Sequence, residues 1–127
     1  MIVGIGIDVV EVARMARLVA GGARAERFLA RCFTRRERAY CDARKDRASR
    51  YAVRFAAKEA MVKALGAPRG LRWTEIEVAR EEGRPRLMLS GAADRAARGL
   101  DVGDVHLSLT HDGGIAAAAV VLERRKP

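Results

Sequence analysis

The stretch from Arg54 to Gly66 constrains the fold more than any other part of the chain. Its sequence is RFAAKEAMVKALG, and Ala, Met, Leu, Lys and Glu are strong helix formers. Gly66 is followed closely by Pro68, which is typical of the end of a helix. The charged residues 44–50 extend the pattern backward. The sequence therefore predicts one long central helix over about 44–65.

One face of this helix carries Phe55, Glu59 and Lys63, each one turn from the next. Taken alone, a glutamate four residues before a lysine indicates a solvated surface ion pair that stabilises the helix by about 0.2–0.5 kcal/mol. The alternative is a binding face in which the carboxylate and the ammonium contact a ligand. The choice between the two depends on polar residues elsewhere in the chain.

The remaining sequence predicts strands and short helices around the central helix. They are a buried strand at 2–10, helices at 11–20, 24–31 and 34–43, a hairpin of strands 71–80 and 86–90 with a turn at 81–85, a helix at 90–98, and strands at 104–110 and 115–123 joined by a turn at 112–114. Leu18 is expected to face inward on the first helix, and Thr34 and Glu37 are expected to form a capping box at the start of the third. This order predicts an α+β fold with a mainly antiparallel sheet, formed by residues 1–127 as a single domain. The last strand is almost wholly apolar, which is typical of a strand covered on both faces, and one cover can be a second subunit.

The net charge narrows the class of partner. The formal charge of +9 favours acidic partners such as nucleic acid, phosphate-rich small molecules, acidic proteins or anionic membranes. Aromatic residues make up only 5% of the chain, which argues against a stacking platform for single strands. No apolar run approaches the ~18 residues of a membrane span, and the N-terminus lacks the basic region of a signal peptide. Cys32 and Cys41 form no CxxC pair, so we expect reduced thiols in a cytoplasmic protein.

Three polar positions stand out against this background. Gly4, Gly6 and Asp8 share one face of the first predicted strand, and glycine in a strand often marks the close approach of a backbone or a ligand. The alternative is that Asp8 ends the strand and caps the helix beginning near Glu11. Carboxylates such as Asp8 and Glu59, without a His or Cys cluster, suit Mg²⁺.

The third position is Thr110-His111-Asp112, at the end of the penultimate strand. His111 can transfer a proton near neutral pH, and Lys63 can contact a phosphate as a point charge. His111 can equally be structural, and Asp112 before two glycines can serve only the turn. The residues by themselves thus indicate a Mg²⁺ and phosphate site without fixing its reaction.

Four motifs, in order along the whole chain, resemble a known family. They are Gly4-Ile-Gly-Ile-Asp8, the central helix 54–66, Gly83-Arg84-Pro85 and Ser108-Leu-Thr-His-Asp112. Together they are similar to the holo-[acyl-carrier-protein] synthases, the small single-repeat branch of the 4′-phosphopantetheinyl transferases. The resemblance implies transfer of the 4′-phosphopantetheine arm of coenzyme A to a serine of an apo acyl carrier protein. The second product would be adenosine 3′,5′-bisphosphate, and the pathway fatty acid biosynthesis.

The resemblance also implies roles for individual residues. Asp8 and Glu59 would hold Mg²⁺, with Mn²⁺ as a possible substitute, and Lys63 would hold the phosphates. The implied catalytic residues are His111, Asp112 and Lys63, and the base for the serine proton is open between His111, Asp112 and Glu59 acting through a water. The implied coenzyme A contacts are Arg54, Lys63, Gly66, Gly83, Arg84, Pro85, Ser108, Thr110 and His111. The implied carrier-docking residues are Arg14, Arg17 and Arg24.

The family resemblance further implies a cytoplasmic homotrimer whose active sites are shared between adjacent subunits. An acidic apo carrier protein and coenzyme A are the expected partners, and we expect neither nucleic acid nor membrane among them. Two rival functions remain at this point. A basic nucleic-acid-binding protein would explain the charge of +9, and a Mg²⁺-dependent phosphoesterase would use the same carboxylates.

Overall fold

The computed structural model describes residues 1–81 and 83–127 and has five strands and five α-helices over these ranges. In chain order they are β1 (Ile2–Glu11), α1 (Val12–Leu18), α2 (Ala23–Cys32), α3 (Arg35–Asp42), α4 (Arg47–Ala64), β2 (Ile76–Glu81), β3 (Arg84–Leu89), α5 (Gly91–Gly99), β4 (Val102–Asp112) and β5 (Ile115–Arg124). A short 3-10 helix, Trp73–Glu75, precedes β2.

All strand pairs are antiparallel, as the sequence predicts, but they form two sheets. One sheet has the order β1-β5-β4, and the other is the β2-β3 hairpin. The long helix α4 packs against the three-stranded sheet and supplies much of the core with alanines. The α+β class and the central helix are thus confirmed.

The two glycines of β1 allow the strand to touch α4 directly. A Cβ atom on Gly6 would lie 1.9 Å from the carbonyl oxygen of Ala60, and one on Gly4 would lie 2.1 Å from that of Ala64. The close approach expected at these glycines is therefore to the backbone of α4. Because strand side chains alternate, the same face turns Asp8 toward the helix.

The prediction of a buried first strand is wrong for one of its faces. Ile5, Ile7 and Val9 are 70%, 66% and 63% exposed, because α4 covers only the other face of the sheet. The neighbouring strand β5 is buried on its inner face and partly exposed on its outer face. The outer face of β1 and β5 is thus an open apolar surface.

Several boundaries also differ from prediction. Residues 71–75 are not strand, because the Glu75 carboxylate accepts the backbone N–H of Arg72 at 2.8 Å and holds a tight turn there. Leu18, expected to face inward, is 37% exposed. The predicted turn at 81–85 is shorter, since β2 reaches Glu81 and β3 begins at Arg84, and Glu82 lies outside the described residues.

The capping box of Thr34 and Glu37 at the start of α3 is confirmed. Cys32 and Cys41 are free and buried, and burial raises the pKa of the Cys41 thiol to about 12.

Phe55 packs against Trp73 with ring centroids 5.2 Å apart, within an aromatic cluster of the core. Phe55 therefore does not share a site with Glu59 and Lys63. Within the described ranges, no helix has the length and apolar character needed to cross a membrane.

Candidate active site

The first part of the site lies where β1 crosses α4. The ammonium of Lys63 donates to Asp8 Oδ1 at 2.9 Å and to the carbonyl of Ile7 at 3.0 Å. The side chain of Asp8 is only 11% exposed, whereas that of Lys63 is 56% exposed. β1 continues to Glu11, and no side chain caps α1, so the alternative role of Asp8 as a helix cap is excluded.

Glu59 adds a second carboxyl group beside Asp8. Burial and the neighbouring Asp8 carboxylate raise the pKa of Glu59 to about 7, while Lys63 and Arg14 oppose the shift. Two carboxylates that share a site disfavour each other's ionised form. Asp8 Oδ2 is buried and has no hydrogen-bond partner among the residues that the structure describes. This arrangement has an excess of negative charge and a free oxygen lone pair, both of which a cation would satisfy.

The donor set fits Mg²⁺. This ion prefers oxygen ligands and is commonly held by one or two carboxylates, with water and substrate phosphates completing the octahedron. Across residues 1–81 and 83–127, no group of three or more His, Cys, Asp or Glu side chains could enclose a metal by itself. Asp8 and Glu59 are therefore a partial site of the kind that a metal fills together with a phosphate ligand.

A basic groove forms the second part of the site. It has a volume of about 280 Å³ and lies between α4, the hairpin and the end of β4. Its lining residues are Arg50, Val53, Arg54, Arg80, Pro85, Leu109, Thr110 and His111. The described lining residues include three arginines and a histidine but no carboxylate. Arg50 is paired with Asp46 at 3.1 Å, and the other basic groups make this groove suited to an anion.

Arg54 is the buried cation of the groove. Arg54 is 4% exposed, and its Nε has no hydrogen-bond partner in the described ranges, although Nη1 donates to the carbonyl of Arg50 at 3.3 Å. The guanidinium lies over the ring of Tyr40, 4.2 Å from its centroid. A buried guanidinium N–H without an acceptor is costly, and a phosphate oxygen is a natural acceptor for it.

Tyr40, Arg50 and Arg80 were not predicted as site residues. Arg50 Nη1 donates to the Tyr40 hydroxyl at 3.2 Å, and Arg44 stacks on the ring at 3.6 Å. Burial would raise the pKa of Tyr40, but Arg80, Arg50 and further arginines lower it overall. The sequence placed Arg80 in the predicted hairpin but gave no sign that it would line a site. In the structure it pairs with Pro85, which also lines the groove.

The carboxylates and the groove histidine lie on opposite sides of β5. Asp8 pairs with Ala118, whereas His111 pairs with Ala116 from the other edge of the same strand. Asp8, Glu59 and Lys63 come together as predicted, and Arg54, Pro85, Thr110 and His111 come together as a separate set. One chain thus carries two half-sites.

The other predicted residues lie outside the described lining of the groove. Ser108 is exposed on the outer face of β4 opposite Ala119, and Asp112 is the exposed last residue of that strand. Gly83 and Arg84 are exposed at the hairpin, and Gly66 follows α4 with φ +83°.

The three predicted docking arginines, Arg14, Arg17 and Arg24, lie exposed on α1 and α2. None of them forms an ion pair within the part of the chain that the structure describes. Arg14 is close enough to Glu59 to lower its pKa, which opposes the larger effects of burial and Asp8. The free basic surface of α1 therefore adjoins the carboxylate half-site.

Known proteins share both the sequence and the fold. The family model of the 4′-phosphopantetheinyl transferase superfamily matches residues 4–119. A holo-[acyl-carrier-protein] synthase of Anaeromyxobacter dehalogenans strain 2CP-1 is 65% identical over 128 residues, which cover 100% of both chains. The chain belongs to the 4′-phosphopantetheinyl transferase superfamily, as its motifs predicted.

Solved structures agree with this assignment. The holo-(acyl-carrier-protein) synthase of Bacillus anthracis, in complex with CoA (3′,5′-ADP), is 35% identical with a TM-score of 0.79 and covers 98% of this chain and 99% of its own. The holo-ACP-synthase of Plasmodium yoelii is 25% identical with a TM-score of 0.83, over 99% of this chain and 98% of its own. The similarity thus extends over the complete fold.

Proposed function

We propose that this chain transfers the 4′-phosphopantetheine arm of coenzyme A to a serine hydroxyl of an apo acyl carrier protein. The products are the holo carrier protein, which serves fatty acid biosynthesis, and adenosine 3′,5′-bisphosphate. The whole chain, residues 1–127, acts as one cytoplasmic domain. The observation that carries the proposal is the pair of adjacent carboxylates, Asp8 and Glu59, with Lys63 beside them, in a chain of the phosphopantetheinyl transferase superfamily.

Asp8 and Glu59 would hold Mg²⁺, or Mn²⁺ in its place. The unpartnered oxygen of Asp8 and the raised pKa of Glu59 support this role. The ion would neutralise charge on the pyrophosphate of coenzyme A while the serine oxygen bonds to the phosphorus and the bond from that phosphorus to the leaving adenosine 3′,5′-bisphosphate breaks. Lys63 is more than half exposed and can contact the same phosphates from its position on α4.

The basic groove is the proposed site of the nucleotide end of coenzyme A. The unpartnered Nε of buried Arg54 supports an anion there, and Pro85 and Thr110 line the same space. Gly83 and Arg84 on the hairpin, Ser108 on β4 and Gly66 after α4 are proposed to contact parts of coenzyme A that extend beyond the groove. His111 and Asp112 at the end of β4 would complete the reacting end of the site.

Three groups are candidates for accepting the serine proton. They are His111, Asp112 and Glu59 acting through a water molecule. A positioned base contributes about 10²–10⁴-fold to rate, so removal of the true base has a large and pH-dependent effect. His111→Ala with restoration of turnover by added imidazole would assign the role to His111, whereas a rate within about two-fold of wild type would exclude it.

We also propose that the active enzyme is a homotrimer with shared sites. Two facts support it. The outer face of β1 and β5 is open and apolar, and the carboxylates and the groove lie on opposite sides of β5. Contact between chains across this face would bring the carboxylate half-site of one chain to the groove of its neighbour.

Arg14, Arg17 and Arg24 form the proposed docking surface for the acidic carrier protein. Their exposure and the lack of an ion pair among described residues support this role, because free positive charge speeds the encounter with an acidic partner. Arg14 adjoins Glu59, so a carrier docked here would present its serine to the carboxylate half-site.

Mass spectrometry of an apo carrier protein tests the reaction directly. With this chain, coenzyme A and Mg²⁺, the carrier is expected to gain one phosphopantetheine group. Glu59→Gln is expected to fold, as judged by circular dichroism, and to transfer no group. Release of free phosphopantetheine without modification of several carrier proteins would instead identify a phosphoesterase and contradict the proposal.

A further inference from the structure

A completely buried ion pair joins α3 to α4 on the side of the helix away from Asp8. Lys58 Nζ lies 2.8 Å from Glu37 Oε1, and both side chains are 0% exposed. The lysine also donates to the backbone carbonyls of Trp73, at 3.0 Å, and Ile76. An ammonium group has three N–H donors, and all three have acceptors here.

The carboxylate of Glu37 is equally occupied. Its Oε1 accepts the backbone N–H of Thr34 at 2.9 Å, and its Oε2 accepts the backbone N–H of Val78 at 2.8 Å. Glu37 therefore connects the start of α3, the middle of α4 and strand β2. A buried pair with every polar atom satisfied is directional, because each bond has only one favourable geometry.

Stability alone does not explain this pair. Replacing a buried ion pair with apolar side chains of similar volume is often neutral or stabilising, since the desolvation of two charges offsets their attraction. What an apolar pair lacks is directional bonding to backbone groups. Lys58 and Glu37 bond to the backbone at Trp73, Ile76 and Val78, and so fix the segment that leads into the hairpin.

The hairpin fixed in this way forms one wall of the basic groove. Arg80 follows Val78 by two residues on β2, and it pairs with Pro85 on β3. Arg80 and Pro85 face Arg54 across the groove, and Arg54 lies one turn before Lys58 on α4. The Lys58 side chain therefore bridges α4 and the segment that enters the hairpin, next to the groove.

We propose that the Glu37–Lys58 pair is a positioning element for coenzyme A, which holds the β2-β3 hairpin at the spacing that the nucleotide end requires. This inference rests on the proposed binding of coenzyme A in the groove. Neither residue touches the substrate. Their effect passes through the placement of Arg80 and Pro85 relative to Arg54.

Three variants test the inference by steady-state kinetics with coenzyme A as the varied substrate. Glu37→Gln keeps the shape of the side chain but removes its negative charge and can turn an amide N–H toward a neighbouring donor. Lys58→Met removes the three hydrogen bonds that the lysine donates. The double variant carries both changes and leaves no unpaired buried charge, so it is expected to unfold at higher urea concentration than either single variant. In each, we expect KM for coenzyme A to rise about ten-fold, while kcat at saturating coenzyme A stays within about two-fold.

Two further variants make the result specific. Leu29→Ala opens a cavity where α2 packs into the core and leaves both side chains of the ion pair in place, so it is expected to lower stability without changing KM for coenzyme A. Arg54→Ala tests the groove itself. If Arg54→Ala raises KM and the pair variants do not, the positioning role is wrong and the groove assignment stands. If Arg54→Ala leaves KM unchanged, the groove assignment is wrong.

The remaining outcomes also decide the question. Folded pair variants with wild-type KM for coenzyme A would overturn the inference. Failure of all three pair variants to fold would overturn it as well, because the pair would then be a requirement of the fold itself. The positioning role predicts that the double variant has a raised KM for coenzyme A, whereas Leu29→Ala, at a similar stability, keeps the wild-type KM.

Discussion

The Lys63 ammonium lies 2.9 Å from the Asp8 carboxylate and joins α4 to β1 where the two elements touch through Gly6. The Lys63 ammonium donates to only one oxygen of Asp8, and the other oxygen is buried with no hydrogen-bond partner in the described part of the chain. Lys63 thus compensates part of the charge of Asp8 and Glu59. The remaining charge is what makes this position suitable for a metal and for phosphates.

Glu59→Gln is predicted to stabilise the metal-free protein in a pH-dependent way. The folded-state pKa of Glu59 is raised from 4.5 to about 7 by burial and by Asp8, so the folded protein binds more protons than the unfolded chain between these values. Stability from this group is therefore present below pH 4.5 and is lost as the pH rises through 7. Urea unfolding at pH 8 is expected to show a gain of about 1–2 kcal/mol for the variant, after allowance for partial exposure.

At pH 4 the gain is expected to be close to zero, because Glu59 is then largely protonated in both the folded and the unfolded state. Added Mg²⁺ is expected to raise the unfolding midpoint of the wild type at pH 8 and to leave that of Glu59→Gln unchanged. An equal gain at both pH values would contradict the account of the paired carboxylates.

Gly6→Ala is predicted to disrupt both the fold and the carboxylate half-site. The new Cβ would lie 1.9 Å from the Ala60 carbonyl oxygen, so β1 and α4 must separate. We expect a loss of about 3 kcal/mol or more in urea unfolding, and loss of stabilisation by Mg²⁺. Gly99→Ala is the matched control, since a Cβ added there would have no described non-neighbouring atom within 4 Å. It is expected to unfold at the same urea concentration as the wild type or at a slightly higher one. Comparable losses in the two variants would be inconsistent with a specific contact at Gly6.

Ile7→Lys is predicted to dissociate the oligomer without unfolding the chain. Ile7 is 66% exposed in the single chain, so a lysine is tolerated there until a second subunit covers it. Light scattering after size exclusion is expected to give a monomer, and transfer activity is expected to be lost. Met88→Lys places the same charge on an exposed apolar residue of the hairpin and is expected to leave the mass unchanged. If Ile7→Lys still forms a trimer, the outer face of β1 is not part of the interface.

Replacing Arg14, Arg17 and Arg24 together with alanine is predicted to weaken carrier binding selectively. We expect KM for the carrier protein to rise about ten-fold or more at low salt, with a smaller difference at high salt, because salt screens exposed charges. KM for coenzyme A should stay unchanged. Arg98→Ala is the control for the loss of one positive charge, because it removes an arginine that is already paired with Asp94 at 2.9 Å.

Much of the carboxylate half-site could be predicted from local sequence. Helix spacing placed Glu59 and Lys63 together, and strand alternation placed Asp8 on the glycine face, so both periodicities converge where β1 meets α4. The family motif then assigned their chemistry. The confirmed capping box of Thr34 and Glu37 is likewise a local pattern, detectable within four residues.

What the sequence did not reveal depends on long-range pairing. The ion pair of Glu37 and Lys58 joins residues on two different helices, and the local sequence around each residue does not indicate which partner it will contact. Phe55 shares a helix row with Glu59, yet it turns into the aromatic core because Trp73 packs on it. The run of apolar residues in β1 predicted a buried strand, but within one chain only one face of the sheet is covered.

The most direct test of the central claim is a mixture of two inactive variants. Asp8→Asn retains an intact groove with His111, and His111→Ala retains an intact pair of Asp8 and Glu59. Refolded together, the two chains are expected to recover transfer of phosphopantetheine to the carrier protein, because mixed oligomers contain interfaces with both intact half-sites. Each variant refolded alone should remain inactive. No recovery in mixtures that form hetero-oligomers would contradict a site shared between neighbouring chains.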